Sequence, residues 1–137
     1  MDLVRASEVP APTRYTLAGG FAVAVALASI LHAPDPIAND GPLGLLRVDK
    51  WIHVGSYALL TYLLAFAVLA ERARVFVVIA LASVAFGGGV ELVQSTIPWR
   101  TMEFADVVAN SAGTVVAIGA WRATWATEPV ARSSLSD

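Results

Sequence analysis

The sequence contains no cysteine, so disulfides and thiolate metal sites are excluded. Charge is nearly as scarce. Only 15% of the 137 residues are charged, against about 25% in a typical soluble domain. A single lysine stands beside eight arginines, the net charge is −2 and no basic patch exists, which argues against a nucleic-acid partner. Catalytic signatures are missing too. Val54-Gly55-Ser56-Tyr57 lacks the second glycine of a nucleophile elbow, and there is no H-E-x-x-H zinc helix. Gly87-Gly88-Gly89 is not a phosphate loop, because no Lys-Ser/Thr follows and no strand precedes. No recognisable catalytic motif remains, and enzymatic activity is left open. Internal repeats and coiled-coil heptads are absent as well.

What is present is apolar. Hydrophobic residues make up 57% of the chain, and the mean hydropathy is +0.67. Such a composition reads as an integral membrane protein with one small domain. Four segments approach the roughly 20 apolar residues that a spanning helix needs: about Tyr15 to Leu31, Trp51 to Ala70, Val75 to Ser95 and Ala105 to Trp125. The first resembles a signal peptide in length. However, Ile30-Leu31-His32-Ala33 runs into Pro34, a poor setting for cleavage, so it is kept as a helix. The expected fold is all-α, a polytopic bundle of four transmembrane helices. Residues 1–14 form an N-terminal segment, 15–125 the membrane domain and 126–137 a flexible tail.

The connections differ in character. Ala33 to Lys50 is turn-rich, with Pro34, Pro36, Asn39, Asp40, Gly41 and Pro42. Glu71-Arg72-Ala73-Arg74 is tight and makes the second and third helices antiparallel neighbours. Pro98-Trp99-Arg100 reads as a turn at the membrane surface. Arg5, Arg14, Arg72, Arg74, Arg122 and Arg132 fall on one side, and Arg47, Lys50 and Arg100 on the other. The excess of positive charge places both termini in the cytoplasm.

With that topology, the start of the second helix, the end of the third and the start of the fourth share the outer face. Nearly all the unusual polar residues lie at those three ends. Glu91 closes an uncharged run of sixteen residues, Val75 to Val90, and Gln94 follows at i+3. An acid within hydrocarbon costs about 2.5–3.5 kcal/mol at a helix centre, so it needs a partner. Lys50, His53 and Arg100 are the cationic partners available. Asp49 and His53 are spaced i,i+4, as are His53 and Tyr57, and Asp106 and Asn110, with Gly113 on the same side. Arg100 and Glu103 lie in the last connection. The expected site is a shared polar pocket of Asp49, Lys50, His53, Glu91, Gln94, Arg100, Asp106 and Asn110. Asp49, His53, Glu91 and Asp106 carry donors suited to a divalent cation. Nothing in their spacing favours metal over salt bridges, so no metal or other cofactor is assigned.

Small residues at four-residue intervals suit close helix packing: Ser83 and Gly87; Ala105, Ala109 and Gly113; Ala18, Ala22 and Ala26. Trp51, Trp99, Trp121 and Trp125 are expected as interfacial anchors.

In chain order, Asp49-Lys50-Trp51-Ile52-His53, Glu91-Leu92-Val93-Gln94, Arg100, and Asp106 with Asn110 and Gly113 match an ordered pattern, D-K-x-x-H, E-x-x-Q, R, D-x-x-x-N-x-x-G. The series resembles the VanZ-like family of small membrane proteins, and it covers about residues 49 to 117. Trp99 departs from the pattern, where a glycine often precedes the arginine. The family takes its name from a protein linked to resistance against teicoplanin, which acts on cell-wall precursors outside the membrane. The resemblance therefore implies a cell-membrane protein acting in the envelope. Three readings stay open. The pocket binds a polar or phosphorylated head group of a membrane lipid or envelope precursor; it is a pathway for a small solute or proton; or it only fixes helix packing in an accessory subunit. The ligand and the oligomeric state are left open with them.

Overall fold

The computed structural model describes residues 6–31, 41, 44, 47–98 and 103–125. Residues 1–5, 32–40, 42–43, 45–46, 99–102 and 126–137 lie outside the described residues. Four helices account for nearly all of the rest: α1 (Ala11–Leu31), α2 (Val48–Val68), α3 (Ala73–Gln94) and α4 (Phe104–Thr124). Each is long and apolar enough to cross a membrane, and no strand occurs among the described residues. Their outward faces carry Val77, Val78, Leu81, Leu92, Val115 and Val116, all well exposed. On a water-soluble protein such a surface would be an aggregation hazard; here it is the face that lipid covers.

Each helix starts earlier than the apolar runs suggest, and α2 shows why. It begins at Val48, so Asp49 and Lys50 lie within its first turn. The apolar run begins only at Trp51, but the helix takes in this charged turn: Asp49 pairs locally with Arg47 and Lys50, and the Lys50 ammonium reaches across the bundle to Glu103 and Asp106.

Helices α2 and α4 run parallel and form the most extensive pair, while α1 lies against α2 and α3. Two polar ties hold α1 in place. Gln94 Nε2 donates to the Ser29 carbonyl at one end (2.8 Å), and Arg14 Nη1 donates to the Phe66 carbonyl at the other (3.4 Å). Hydrophobicity contributes little between helices surrounded by lipid, so close backbone approach and hydrogen bonds carry the association. Gly113 provides the closest approach. A Cβ there would collide with the Val54 carbonyl oxygen and lie 3.0 Å from the Ala58 nitrogen. Ala109 and Ala117 flank it on the same buried stripe. Ser83 and Gly87 are buried as expected, and so is Ala18. Ala105 instead faces outward.

The α2–α3 link turns at Leu69, whose φ of 49° is left-handed. Ala70 N–H then reaches back to the Ala65 carbonyl at 2.9 Å, which caps α2. This end of the bundle is apolar: Ala65, Phe76, Ile79, Trp121 and Trp125 form a buried cluster. Trp121 and Trp125 are therefore core residues and not interfacial anchors. Trp121 is 1% exposed and its indole N–H donates to the Ala70 carbonyl at 2.8 Å. Trp125 Nε1 donates to the Tyr62 hydroxyl at 3.0 Å. An indole is tolerated inside once its N–H has an acceptor, and a helix C-terminus offers spare carbonyls. Trp99 lies outside the described residues.

Candidate functional site

The opposite end of the bundle is polar. Residues spaced by four on each of three helices build a column running inward from that end. Helix α2 contributes His53, Tyr57 and Thr61; α3 contributes Glu91, Gly87 and Ser83; α4 contributes Asp106, Asn110 and Thr114. From His53 to Thr61 the column spans about 12 Å at helical rise.

The outermost layer centres on Lys50. Its ammonium, 7% exposed as a residue, donates to Asp106 Oδ1 and Glu103 Oε2, both at 2.5 Å, and lies 3.0 Å from Asp49 Oδ2. Asp49 also meets Arg47 at 3.3 Å. Three carboxylates thus surround one ammonium, and their oxygens lie within 4.8 Å of one another. Asp106 sits in the first turn of α4, where the helix dipole adds to its stability as an anion.

One layer further in, His53 Nδ1 lies 3.0 Å from Asn110 Oδ1, and His53 Nε2 lies 3.7 Å from Asp106 Oδ1. Glu91 is fully buried, and its carboxylate comes within 4.8 Å of the His53 and Asp106 donor atoms. Below this layer Gly87 leaves room for its neighbours. A Cβ there would be 2.9 Å from both Asn110 Nδ2 and Tyr57 Cε1. Gly88 and Gly89 face open space, so only the first of the three glycines serves packing.

The column ends in three buried hydroxyls. Thr61 Oγ1 donates toward Ser83 Oγ at 3.0 Å and Thr114 Oγ1 at 3.3 Å, and Thr114 Oγ1 donates to the Asn110 carbonyl at 3.0 Å. Beyond them lies the apolar cluster of Ala65, Ile79 and Trp121. Among the described residues the polar column is therefore closed by apolar side chains at its inner end.

Of the expected site residues, Asp49, Lys50, His53, Glu91, Asp106 and Asn110 come together. Gln94 is turned to α1 and holds a helix in place. Arg100 lies outside the described residues. Glu103, noted only as a loop residue, is a direct partner of Lys50. The hydroxyl trio was not anticipated; its one signal is register, with Thr61 two turns from His53, Ser83 two turns from Glu91 and Thr114 one turn from Asn110.

Beside this layer a half-open groove of about 370 Å³ runs along α2 and α4. Val54, Phe104, Ala105, Val108, Ala109 and Ala112 line it together with Lys50, whose ammonium is turned to Asp106 and Glu103 so that its stem borders the groove. Phe104 and Val108 are 76% and 52% exposed, so the groove faces the lipid side of the bundle.

A family model described as VanZ/LLP1 matches residues 14–126, most of the chain and all of α2 to α4. The chain belongs to the VanZ/LLP1 family. It is a multi-pass membrane protein of that family, with four apolar helices. Comparison with curated proteins and with solved structures yields no match. The VanZ/LLP1 match spans both the polar layer and the groove, so neither is an appendage to the family domain.

Proposed function

We propose that this protein binds a lipid of the cell envelope, with the acyl chain in the α2–α4 groove and the polar or phosphorylated head group at the Lys50–His53–Asp106 layer. The observation that carries this reading is the groove itself. It is apolar along its length, opens to lipid, and has the stem of the one lysine of the chain in its wall, next to the polar layer. A helix-packing device needs no such groove. The closed inner end of the column speaks against a pathway for solute or protons, since Ala65, Ile79 and Trp121 follow the last hydroxyls. The arginine distribution supports an orientation with both termini in the cytoplasm. In that orientation the site faces outward in the cell membrane, as an envelope role requires.

The charge balance qualifies which head groups fit. Asp49, Glu91, Glu103 and Asp106 outnumber Lys50 and Arg47 among the described charges. A phosphate enters such a layer most readily beside a further cation.

Purified protein in mild detergent, examined by native mass spectrometry after exposure to phosphatidic acid, should retain lipid. Val108→Trp fills the groove without touching the polar layer and should lower retention at least tenfold. Equal retention by Val108→Trp and wild type would refute the groove as the lipid site.

A further inference from the structure

We infer that His53, Glu91 and Asp106 form a binding site for one divalent cation of the Mn2+ or Zn2+ type. The three residues come from three helices, and one donor atom of each lies within 4.8 Å of the others. Metal ligands at about 2.0–2.2 Å from an ion lie roughly 3–4 Å apart, so closing on an ion requires a contraction of about 1 Å. One imidazole and two carboxylates are borderline-to-hard donors suited to these ions. Three protein donors leave positions open for water or a head-group oxygen.

The hydrogen bonding around His53 points the same way. Asn110 Oδ1 accepts from Nδ1, which fixes the tautomer and turns the Nε2 lone pair toward Asp106 at 3.7 Å. A hydrogen bond that holds the remote N–H of a histidine is the usual support of a metal ligand, and here a side-chain amide oxygen supplies it. A cation placed between this lone pair and the Glu91 and Asp106 carboxylates would be held by all three residues; the Lys50 ammonium meets Asp106 Oδ1 from the adjoining cage.

A second observation comes from Asn110 itself. It is 2% exposed, and its Nδ2 has no hydrogen-bond partner among the described residues. Nδ2 lies over Gly87, one turn below Glu91 on the same face of α3. Helical side chains lean toward the preceding turn, so the Glu91 carboxylate reaches over that surface. A buried donor left open beside the three ligands suits an oxygen carried in by the ion, from its water or from a head group.

The test uses lipid-free, chelator-stripped full-length protein in detergent, with Mn2+ alone as probe. One Mn2+ should bind per chain, and pulsed paramagnetic resonance should show coupling to a single imidazole nitrogen. The chain has two histidines, so His32→Ala should leave the coupling intact and His53→Gln should remove it. His53→Gln should also weaken binding at least tenfold, while Glu103→Gln, which touches only the lysine cage, should change it less than threefold. Absence of nitrogen coupling in the wild type would overturn the site. Loss of binding in Glu103→Gln equal to that in His53→Gln would also overturn it. Because no lipid is present, failure here leaves the groove reading standing, and failure of lipid retention leaves the ion site standing.

Discussion

Gly113→Ala should destabilise the bundle by about 3 kcal/mol, at the upper end of what overpacking usually costs, and Gly113→Val should not yield folded protein. The reason is that the added methyl meets backbone. Its nearest neighbours are the Val54 carbonyl and the Ala58 nitrogen, neither of which can move aside by rotating a side chain. The two helices must separate, and they are the most extensively packed pair. Separation would also pull Lys50 and His53 on α2 away from Glu103, Asp106 and Asn110. Gly119→Ala is the control. Nothing lies within 4 Å of a Cβ at that position, so alanine should be neutral or stabilising by up to about 1 kcal/mol. Thermal unfolding in detergent, followed by loss of the monodisperse chromatographic peak, measures both. Equal midpoints for the two alanine variants would mean that the α2–α4 approach is not as close as described.

Lys50→Met should cost about 3 kcal/mol, toward the lower end of the 3–5 kcal/mol typical of breaking a buried pair. Removing the ammonium leaves Glu103 and Asp106 without their counter-charge beside Asp49, which keeps Arg47. Two of the three can turn partly into solvent, since the Glu103 and Asp49 side chains are 43% and 33% exposed. Asp106 cannot, with its side chain 12% exposed. The penalty therefore concentrates on Asp106, and Asp106→Asn in the Lys50→Met background should recover most of the loss. A double-mutant cycle read by denaturant unfolding gives the coupling directly. Additive losses would show that Lys50 and Asp106 do not act as a pair.

Much of this architecture is legible in the residues alone. Apolar runs interrupted at Pro34, Glu71 and Pro98 announce four helices, and spacings of four place His53, Asp106 and Asn110 on inward faces. Hydropathy reports depth along the membrane normal. It does not report which way a side chain points around its helix, and the errors follow from that. Trp121 and Trp125 sit at the right depth for anchors but face the core, where the Ala70 carbonyl and the Tyr62 hydroxyl accept their N–H groups. Gln94 is one turn from Glu91, yet its amide reaches Ser29 on α1. Lys50 had several acids within plausible reach. Only the geometry of α4 selects Glu103 and Asp106, more than fifty residues away. Thr61, Ser83 and Thr114 are ordinary residues for a membrane helix, and their convergence is a property of the packed bundle.

The central claim is that the polar layer exists to bind and not merely to hold the helices in register. Replacing both members of the His53–Asn110 contact by leucine tests it most directly. Removing both partners of a hydrogen bond together, with groups of similar shape, is close to neutral for folding. The double variant should therefore unfold within about 1 kcal/mol of wild type, while its retention of phosphatidic acid in native mass spectrometry falls at least tenfold. Wild-type lipid retention in a stable His53→Leu, Asn110→Leu protein would contradict the account and leave the layer a packing device.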